Sequence, residues 1–334
     1  MKAWASDLCK GMRATAVLVG TLIGAGYATG REVSQYFGRA SVLTVVLAAL
    51  AIALLSVLFL YVGMRAGEPK GKWLQVYRTL LSLAAVASCG VMIAAGRALL
   101  GGVWTPLILG AIGVVLSATD RLFHGANLVA VPLLVILVLS ALSDADPTPL
   151  GSGFLVGNAL NYAGMNLLFE GELLRKEGRD MTPRAILIAG IAITGVMTFL
   201  LLAMRSMVGD SPSALPFAKV CIAQGKEVVV KGVIVTAILT NIAGAMRLVP
   251  DGFACLSRGI TLAAATTLSF VIGGFAFADL VRCVYPVMGW MGVAVGVIYL
   301  IWALSLHKKW VWRRHLPQKW RKRGIDSPRG MGYN

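Results

Sequence analysis

An all-α polytopic membrane protein of about ten helices is predicted from three observations: the weight of apolar residues, the length of the apolar runs and the placement of the charges. Of 334 residues, 57% are hydrophobic, 14% are charged and 38 are glycine, and the mean hydropathy is +0.78. An ordinary soluble domain is about a quarter charged. Stretches long enough to cross a bilayer, about 20 residues each, recur along the chain and consume most of it. Little is left for a separate soluble catalytic domain. Helices are expected because, in lipid, each one satisfies its own backbone hydrogen bonds.

The predicted spans are 14–37, 41–64, 79–101, 105–118, 126–143, 151–169, 184–208, 228–249, 260–278 and 283–306. Met1 to Arg13 is basic, but the stretch behind it is long, interrupted by glycine and without a small-residue cleavage site, so it reads as a retained first span and not as a signal peptide. With the N-terminus inside, the cytoplasmic loops receive Arg65, Lys70, Lys72 and Arg78, then Arg121, then Arg175, Lys176, Arg179 and Arg184, then Arg247 and Arg258. The tail adds Lys308, Lys309, Arg313, Arg314, Lys319, Arg321, Lys322, Arg323 and Arg329. Most of the basic residues thus share one side, which satisfies the positive-inside rule and puts both termini in the cytoplasm.

The net charge of +16 resides in these flanks. Interleaved with Trp310, Trp312 and Trp320, the basic tail reads as an interfacial segment on anionic lipid, and no nucleic-acid partner is expected. The expected organisation is a single bundle over 1–306, with repeats over 14–143 and 151–306, followed by a basic cytoplasmic tail over 307–334. The cysteines form no CxxC pair and no metal-ligand spacing, although Cys221 and Cys283 both fall in outer segments where a disulfide between them is conceivable.

The internal repeat is the most informative pattern. Span one carries Gly20, Gly24, Gly26 and Gly30, and span six carries Gly151, Gly153, Gly157 and Gly164 with the polar run Asn158, Asn161, Tyr162 and Asn166. These helix-weakening residues open each half of five spans, and consecutive halves with an odd number of spans insert in opposite orientations. A dinucleotide-binding turn is excluded by context, because no strand precedes the glycines and no acid follows at the required distance. Two readings remain. The glycines permit close helix packing, or they mark a discontinuous helix near Gly24 to Gly26 with an equivalent break at Tyr162 to Asn166. In the second reading, freed amides favour an anionic group and freed carbonyls favour a cation.

The segment VGTLIGAGYATGREVSQYF resembles the opening span of the YkvI family of bacterial membrane proteins, and NALNYAGMNLL and FADLVRCVYPVMGWMG extend the resemblance over essentially the whole chain. The glycine core also resembles the first helix of the amino acid, polyamine and organocation transporter superfamily, which has the LeuT fold of five plus five helices. That resemblance implies broken helices one and six and a substrate site at Gly24, Ala25 and Gly26, faced by Tyr162, Ala163, Gly164 and Met165, with Asn166 stabilising the second break. It also implies a sodium site from the carbonyls of Gly20, Ile23 and Ala237 with Thr240 and Asn241. Sodium-coupled relatives often place two hydroxyl residues where this chain has Thr240 and Asn241. The spacing of Ala237, Thr240, Asn241 and Gly244 gives one small, polar helix face by itself, equally suited to an interhelical hydrogen bond.

Charged residues at membrane depth are functional candidates. Arg31 and Glu32 suit an outer gate with Asp279, or an ordinary interfacial ion pair, while Arg97 snorkels outward. Glu170 and Glu172 stand near the inner end of span six, as a solvated helix end or a proton-linked gate. The expected function is secondary transport of a small, amino-acid-like organic solute across the bacterial plasma membrane. The alternative is a solute-sensing receptor of the same fold. An enzyme is not expected: the chain holds no HExxH, no histidine cluster and no nucleotide-binding GxxxxGK[ST] run, so no cofactor beyond a coupling sodium ion is implied.

Overall fold

The computed structural model describes residues 2–22, 24–65, 72–118, 120–144, 148–149, 151–253 and 256–315. Among them the regular structure is helical, with a lone parallel bridge between Ala40 and Gly153. The first predicted span is three pieces, α1 (Lys2–Leu22), α2 (Ala25–Ala28) and α3 (Arg31–Phe37). Then follow α4 (Val42–Arg65), α5 (Lys72–Leu100), α6 (Thr105–Ser117), α7 (Asp120–Ser143), α8 (Val156–Gly178) and α9 (Pro183–Val208). The chain continues through α10 (Pro216–Ala223), α11 (Glu227–Gly252), α12 (Arg258–Gly273) and α13 (Phe277–His315).

Among the described residues, five segments are long and apolar enough to cross a membrane: Val42–Arg65, Gln75–Leu100, Pro183–Val208, Glu227–Gly252 and Phe277–Ser305. Thr105–Ser117, Pro132–Ser143 and Arg258–Gly273 are shorter apolar helices. Large apolar side chains point outward along these elements, among them Leu54 at 69% exposure, Ile191 at 67% and Ile301 at 63%. A surface of this kind is stable against lipid and not against water. The last helix continues to His315, so the basic tail begins as helix, and residues 316–334 lie outside the described residues. The short helix α10 lies between the seventh and eighth predicted spans, in a stretch the apolar runs did not mark.

Local chemistry explains several boundaries. Thr182 caps α9 by accepting a hydrogen bond from the Ala185 amide, with Pro183 in the first turn, and its hydroxyl donates to Asp7 on α1 at 2.8 Å. Ser257 caps α12 in the same way. Gly30, at φ 77°, makes the turn into α3 that an L side chain would resist. The guanidinium of Arg205, 1% exposed, donates to the carbonyls of Phe37, Gly38 and Thr148, and so closes the C-terminal end of α3 with a positive charge.

At the centre, α8 packs against α4 and α13, and α11 packs against α5; α9 lies on α1 and α4, α12 on α5, and α6 on α11. The segment before α8 is pinned across the bundle, where the Ser41 amide donates to the Gly153 carbonyl at 2.8 Å and the Leu155 amide to Thr44 Oγ1 at 3.1 Å. Cys221 is a buried free thiol and Cys283 an exposed one, so the conceivable disulfide between them is not formed.

One sequence expectation is corrected here: α8 is unbroken through Tyr162, Ala163, Gly164, Met165 and Asn166. Asn166 donates through Nδ2 to the Tyr162 carbonyl at 2.8 Å, within its own helix, instead of capping freed groups. Gly164 serves close packing: a Cβ there would collide with the Gly289 carbonyl, and a Cβ on Gly292 would collide with the Gly164 carbonyl. The backbones of α8 and α13 touch because neither residue has a side chain. Gly164→Ala or Gly292→Ala is expected to lower the melting midpoint of the solubilised protein by the equivalent of about 1 to 3 kcal/mol. Gly157→Ala, at an exposed position with nothing within 4 Å of its Cβ, is expected to stay within about 0.5 kcal/mol of the parent.

Candidate functional site

The break in the first helix carries buried polar side chains, Thr29 and Glu32 among them. Its backbone is satisfied locally: the Gly24 amide donates to the Leu22 carbonyl at 2.7 Å, the Ala28 amide to Gly24 at 2.8 Å, and the Gly30 amide to Tyr27 at 2.8 Å. Thr29 Oγ1 donates to the Gly26 carbonyl at 2.9 Å, and the Phe217 amide of α10 donates to the Thr29 carbonyl at 2.9 Å. Tyr27, fully buried, donates its hydroxyl to the Leu200 carbonyl of α9 at 2.7 Å. Neighbouring helices therefore hold the interruption open.

Glu32 occupies the open side of this turn. It stands in the first turn of α3, is 6% exposed, and folds back so that a Cβ at position 26 would fall on its carboxylate. Gly26 is required there for space. Around the carboxylate stand the hydroxyl of Tyr285, with which it pairs, and the side chains of Tyr36 and Tyr162. The Tyr36 and Tyr162 rings are 5.3 Å apart edge to face, with Phe37 5.0 Å from Tyr162 on the other side.

A second layer couples three elements. Tyr36 donates to Asn161 Oδ1 at 2.7 Å, Asn161 Nδ2 donates to the Pro286 carbonyl at 2.8 Å, and Asn158 Nδ2 donates to the Tyr36 carbonyl at 3.0 Å. Gln35 Nε2 reaches the Val281 carbonyl at 3.2 Å. The polar row on α8 thus ties α3 to α13. Gln35 Oε1 is buried without a hydrogen-bond partner, and the buried Tyr162 hydroxyl stands beside Asn166.

The structure brings together Gly24, Gly26, Glu32, Tyr162 and Asn241, and it separates other members of the expected site. The Cβ position of Gly24 lies 3.2 Å from both Oδ1 and Nδ2 of Asn241, so α11 meets the first span at Gly24. Thr240 Oγ1 and Asn241 Nδ2 both donate to the Ala237 carbonyl, at 3.0 and 2.8 Å. Gly20 lies in the last turn of α1 and Ala25 opens α2, while Ile23 lies outside the described residues. Ala163, Gly164 and Met165 are buried in the unbroken α8.

The expected outer gate is rearranged. Arg31 turns away from Glu32 and donates to the carbonyls of Ser211 and Ser213, at 3.1 and 3.2 Å. Asp279 is exposed in the first turn of α13, and no ion pair among the described residues joins it to Arg31. The ion pair formed nearby is Arg39 with Asp210. Adjacent residues on a helix point in different directions, which is why Arg31 and Glu32 serve different neighbours. Sequence reasoning passed over Tyr36, Tyr285 and Arg205. Tyr36 stands four residues after Glu32, on the same face, and Arg205 is an arginine within an apolar run; those were the available signals.

Fold and site together define a polytopic helical membrane protein with a buried, polar helix interruption. No family model matches the chain. It is similar to the uncharacterized protein YyaD of Bacillus subtilis, at 24% identity over 90% of this chain and 98% of that protein. It is also similar to the uncharacterized membrane protein YkvI of the same organism, at 21% identity over 83% of this chain and 92% of that protein.

The site geometry predicts different outcomes for two tyrosines. Tyr36→Phe strands the buried acceptor of Asn161 and is expected to destabilise the protein by about 1 to 3 kcal/mol. Tyr162→Phe removes a hydroxyl whose polar neighbour, Asn166, already bonds within its own helix, and is expected to change stability by less than about 1 kcal/mol. Thermal melting of both variants in detergent checks the contrast.

Proposed function

We propose that the protein is a secondary transporter that moves a small organic solute by alternating access around the break in its first helix, in a bacterial plasma membrane with both termini cytoplasmic. The observation that carries this reading is the interruption from Leu22 to Arg31, buried among neighbours and carrying a membrane-depth carboxylate. Broken backbone at membrane depth is tolerated where protein buries it, and in secondary transporters it marks the binding site.

The packing supports two inverted halves of five spans. If α1–α3 corresponds to α8, α4 to α9, α5 to α11, α6 to α12 and α7 to α13, exchanging the halves turns the contact of α1 with α9 into that of α8 with α4. It turns the contact of α5 with α12 into that of α11 with α6, and it returns α5 on α11 to itself. All these contacts occur. The halves differ in that α8 is continuous, which favours one alternative: a receptor that binds the solute in the same place and does not move it.

The coupling ion in this proposal is sodium, held by Thr240, Asn241 and the carbonyls of Ala237, Gly20 and Ile23. Asn241 donates through its nitrogen to its own helix, which leaves its oxygen as the donor-free side for a hard cation.

Flux into proteoliposomes tests the reading. Purified protein is expected to accumulate a labelled solute from a mixture of amino acids and amines under an imposed gradient, and Gly26→Val, which displaces the Glu32 carboxylate, is expected to abolish uptake while still inserting in the membrane. Saturable binding with no flux would establish the receptor instead. Sodium coupling has its own check. Thr240→Val is expected to weaken the sodium dependence of wild-type uptake by about 1 to 3 kcal/mol, the cost of one lost polar partner, with potassium replacing sodium at constant ionic strength. Wild-type uptake indifferent to sodium removes the ion from the proposal.

A further inference from the structure

We propose that the groove between α4 and α9 binds one anionic phospholipid, with an acyl chain laid between the two helices and the phosphate held by Arg65 and Arg184, where α4 ends and α9 begins. The groove opens on the outer surface of the bundle and has a volume of about 290 Å³. Leu54, Val57, Leu58 and Tyr61 of α4 line it together with Pro183 and Ile186 of α9. Apart from the Tyr61 hydroxyl, every side chain in this lining is hydrocarbon.

Close backbone packing fixes the groove. Gly190 of α9 faces α4 so nearly that a Cβ there would stand 2.8 Å from Val57 Cγ2. The last turns of α4 and α8 touch backbone to backbone, because a Cβ on Gly63 would collide with the Arg175 carbonyl and one on Gly178 with the Leu60 carbonyl. The turn from Arg179 to Thr182 is thereby held beside the end of α4, and α9 starts there and runs back along it. Tyr61 and Pro183 form the mouth of the groove, and Leu54, 69% exposed, lies further along toward the middle of α4.

The mouth is basic. Arg65 lies in the last turn of α4, and its guanidinium sits over the Tyr61 ring, 5.7 Å from the centroid. Arg184 follows Pro183 in the first turn of α9, and Lys176 and Arg179 stand at the end of α8; all four are exposed. The acids of these turns leave the surplus positive. Glu177 is paired with Arg13 at 2.9 Å, Asp7 accepts the Thr182 hydroxyl, and Asp180 adds one exposed carboxylate.

These two features together select an anionic lipid. Lipid chains are as apolar as the groove, so one chain replaces another there at little gain and the lining alone prefers no lipid. Discrimination therefore falls to the headgroup. Guanidinium groups meet phosphate oxygens through paired N–H donors, and a basic pocket between membrane helices suits an anionic headgroup. A zwitterionic lipid brings its own cation to the same place and gains less. A soluble phosphate has the charge but no chain to fill the groove. The stacking of Arg65 on Tyr61 places one guanidinium at the mouth before the lipid arrives.

Native mass spectrometry of the full-length protein, delipidated in detergent, tests the site. The probes are dioleoyl phosphatidylglycerol, dioleoyl phosphatidylcholine and glycerol 3-phosphate. A discrete first phosphatidylglycerol adduct is expected, at least about tenfold tighter than the first phosphatidylcholine, with no adduct of glycerol phosphate. Arg184→Gln is expected to weaken that first adduct about fivefold, the worth of one basic residue at a membrane surface. Arg258→Gln, at an exposed position that opens α12 and does not line the groove, is expected to leave it unchanged. Leu58→Trp fills the groove and is expected to remove the discrete first adduct; if that variant does not fold, the exposed Arg184 decides by itself. The proposal is overturned by equal affinity for the two lipids, by glycerol phosphate binding as the lipid does, by equal losses in Arg184→Gln and Arg258→Gln, by a folded Leu58→Trp that binds as wild type, or by the absence of a discrete first adduct.

Discussion

The structure depends on satisfying the backbone of a broken helix away from water. A peptide group left unpaired in lipid costs several kcal/mol, so an interruption such as Leu22 to Arg31 survives only if every freed donor and acceptor is met. Among the described residues, short-range bonds at Gly24, Ala28 and Gly30 contribute, and so do outside partners: Phe217 on the Thr29 carbonyl and Arg205 on the Phe37 and Gly38 carbonyls. The arrangement of α9 and α10 follows from this requirement. The short α10 brings the Phe217 amide to the break, and α9 brings both Arg205 and the Leu200 carbonyl that receives Tyr27.

Charge inside the bundle follows the same logic at higher stakes. Arg205 is buried against backbone carbonyls at a helix end, where the local dipole is negative. Arg175, 2% exposed, forms a fork with Glu172 at 2.8 and 2.5 Å, three residues earlier on the same helix. Glu32 differs from both, because tyrosines surround its carboxylate and no basic side chain pairs with it among the described residues. A carboxyl buried without a fixed countercharge is costly to ionise, which sets Glu32 apart from the paired Glu172.

The connection from site to bundle runs through polar contacts between helix backbones. Tyr36, Asn161 and Pro286 link α3, α8 and α13 by two hydrogen bonds, one of them to the carbonyl of the proline inside α13. Close contact of Gly164 with Gly289 and Gly292 lets α8 and α13 approach along that same line. Directional bonds therefore tie α3 to α8 and α13.

The sequence by itself determined the helical class and the position of the apolar segments, and it offered a break near Gly24 to Gly26 as one of two readings of the glycines. Those features follow from local properties: residue polarity decides what lipid accepts, and clustered glycine weakens a helix wherever it occurs. Tertiary structure alone decided the rest. Gly164 and Asn166 have the same helix-weakening chemistry as Gly24 and Gly26, yet α8 runs unbroken, because α13 packs directly on Gly164 and Asn166 bonds within its own turn. Composition cannot distinguish a glycine that bends a helix from one that admits a neighbour, since the difference lies in what stands opposite. The partner of Glu32 was hidden for the same reason: Arg31 is adjacent in sequence, but the twist of α3 sends it to Ser211 and Ser213 and turns Glu32 inward to Gly26 and Tyr285.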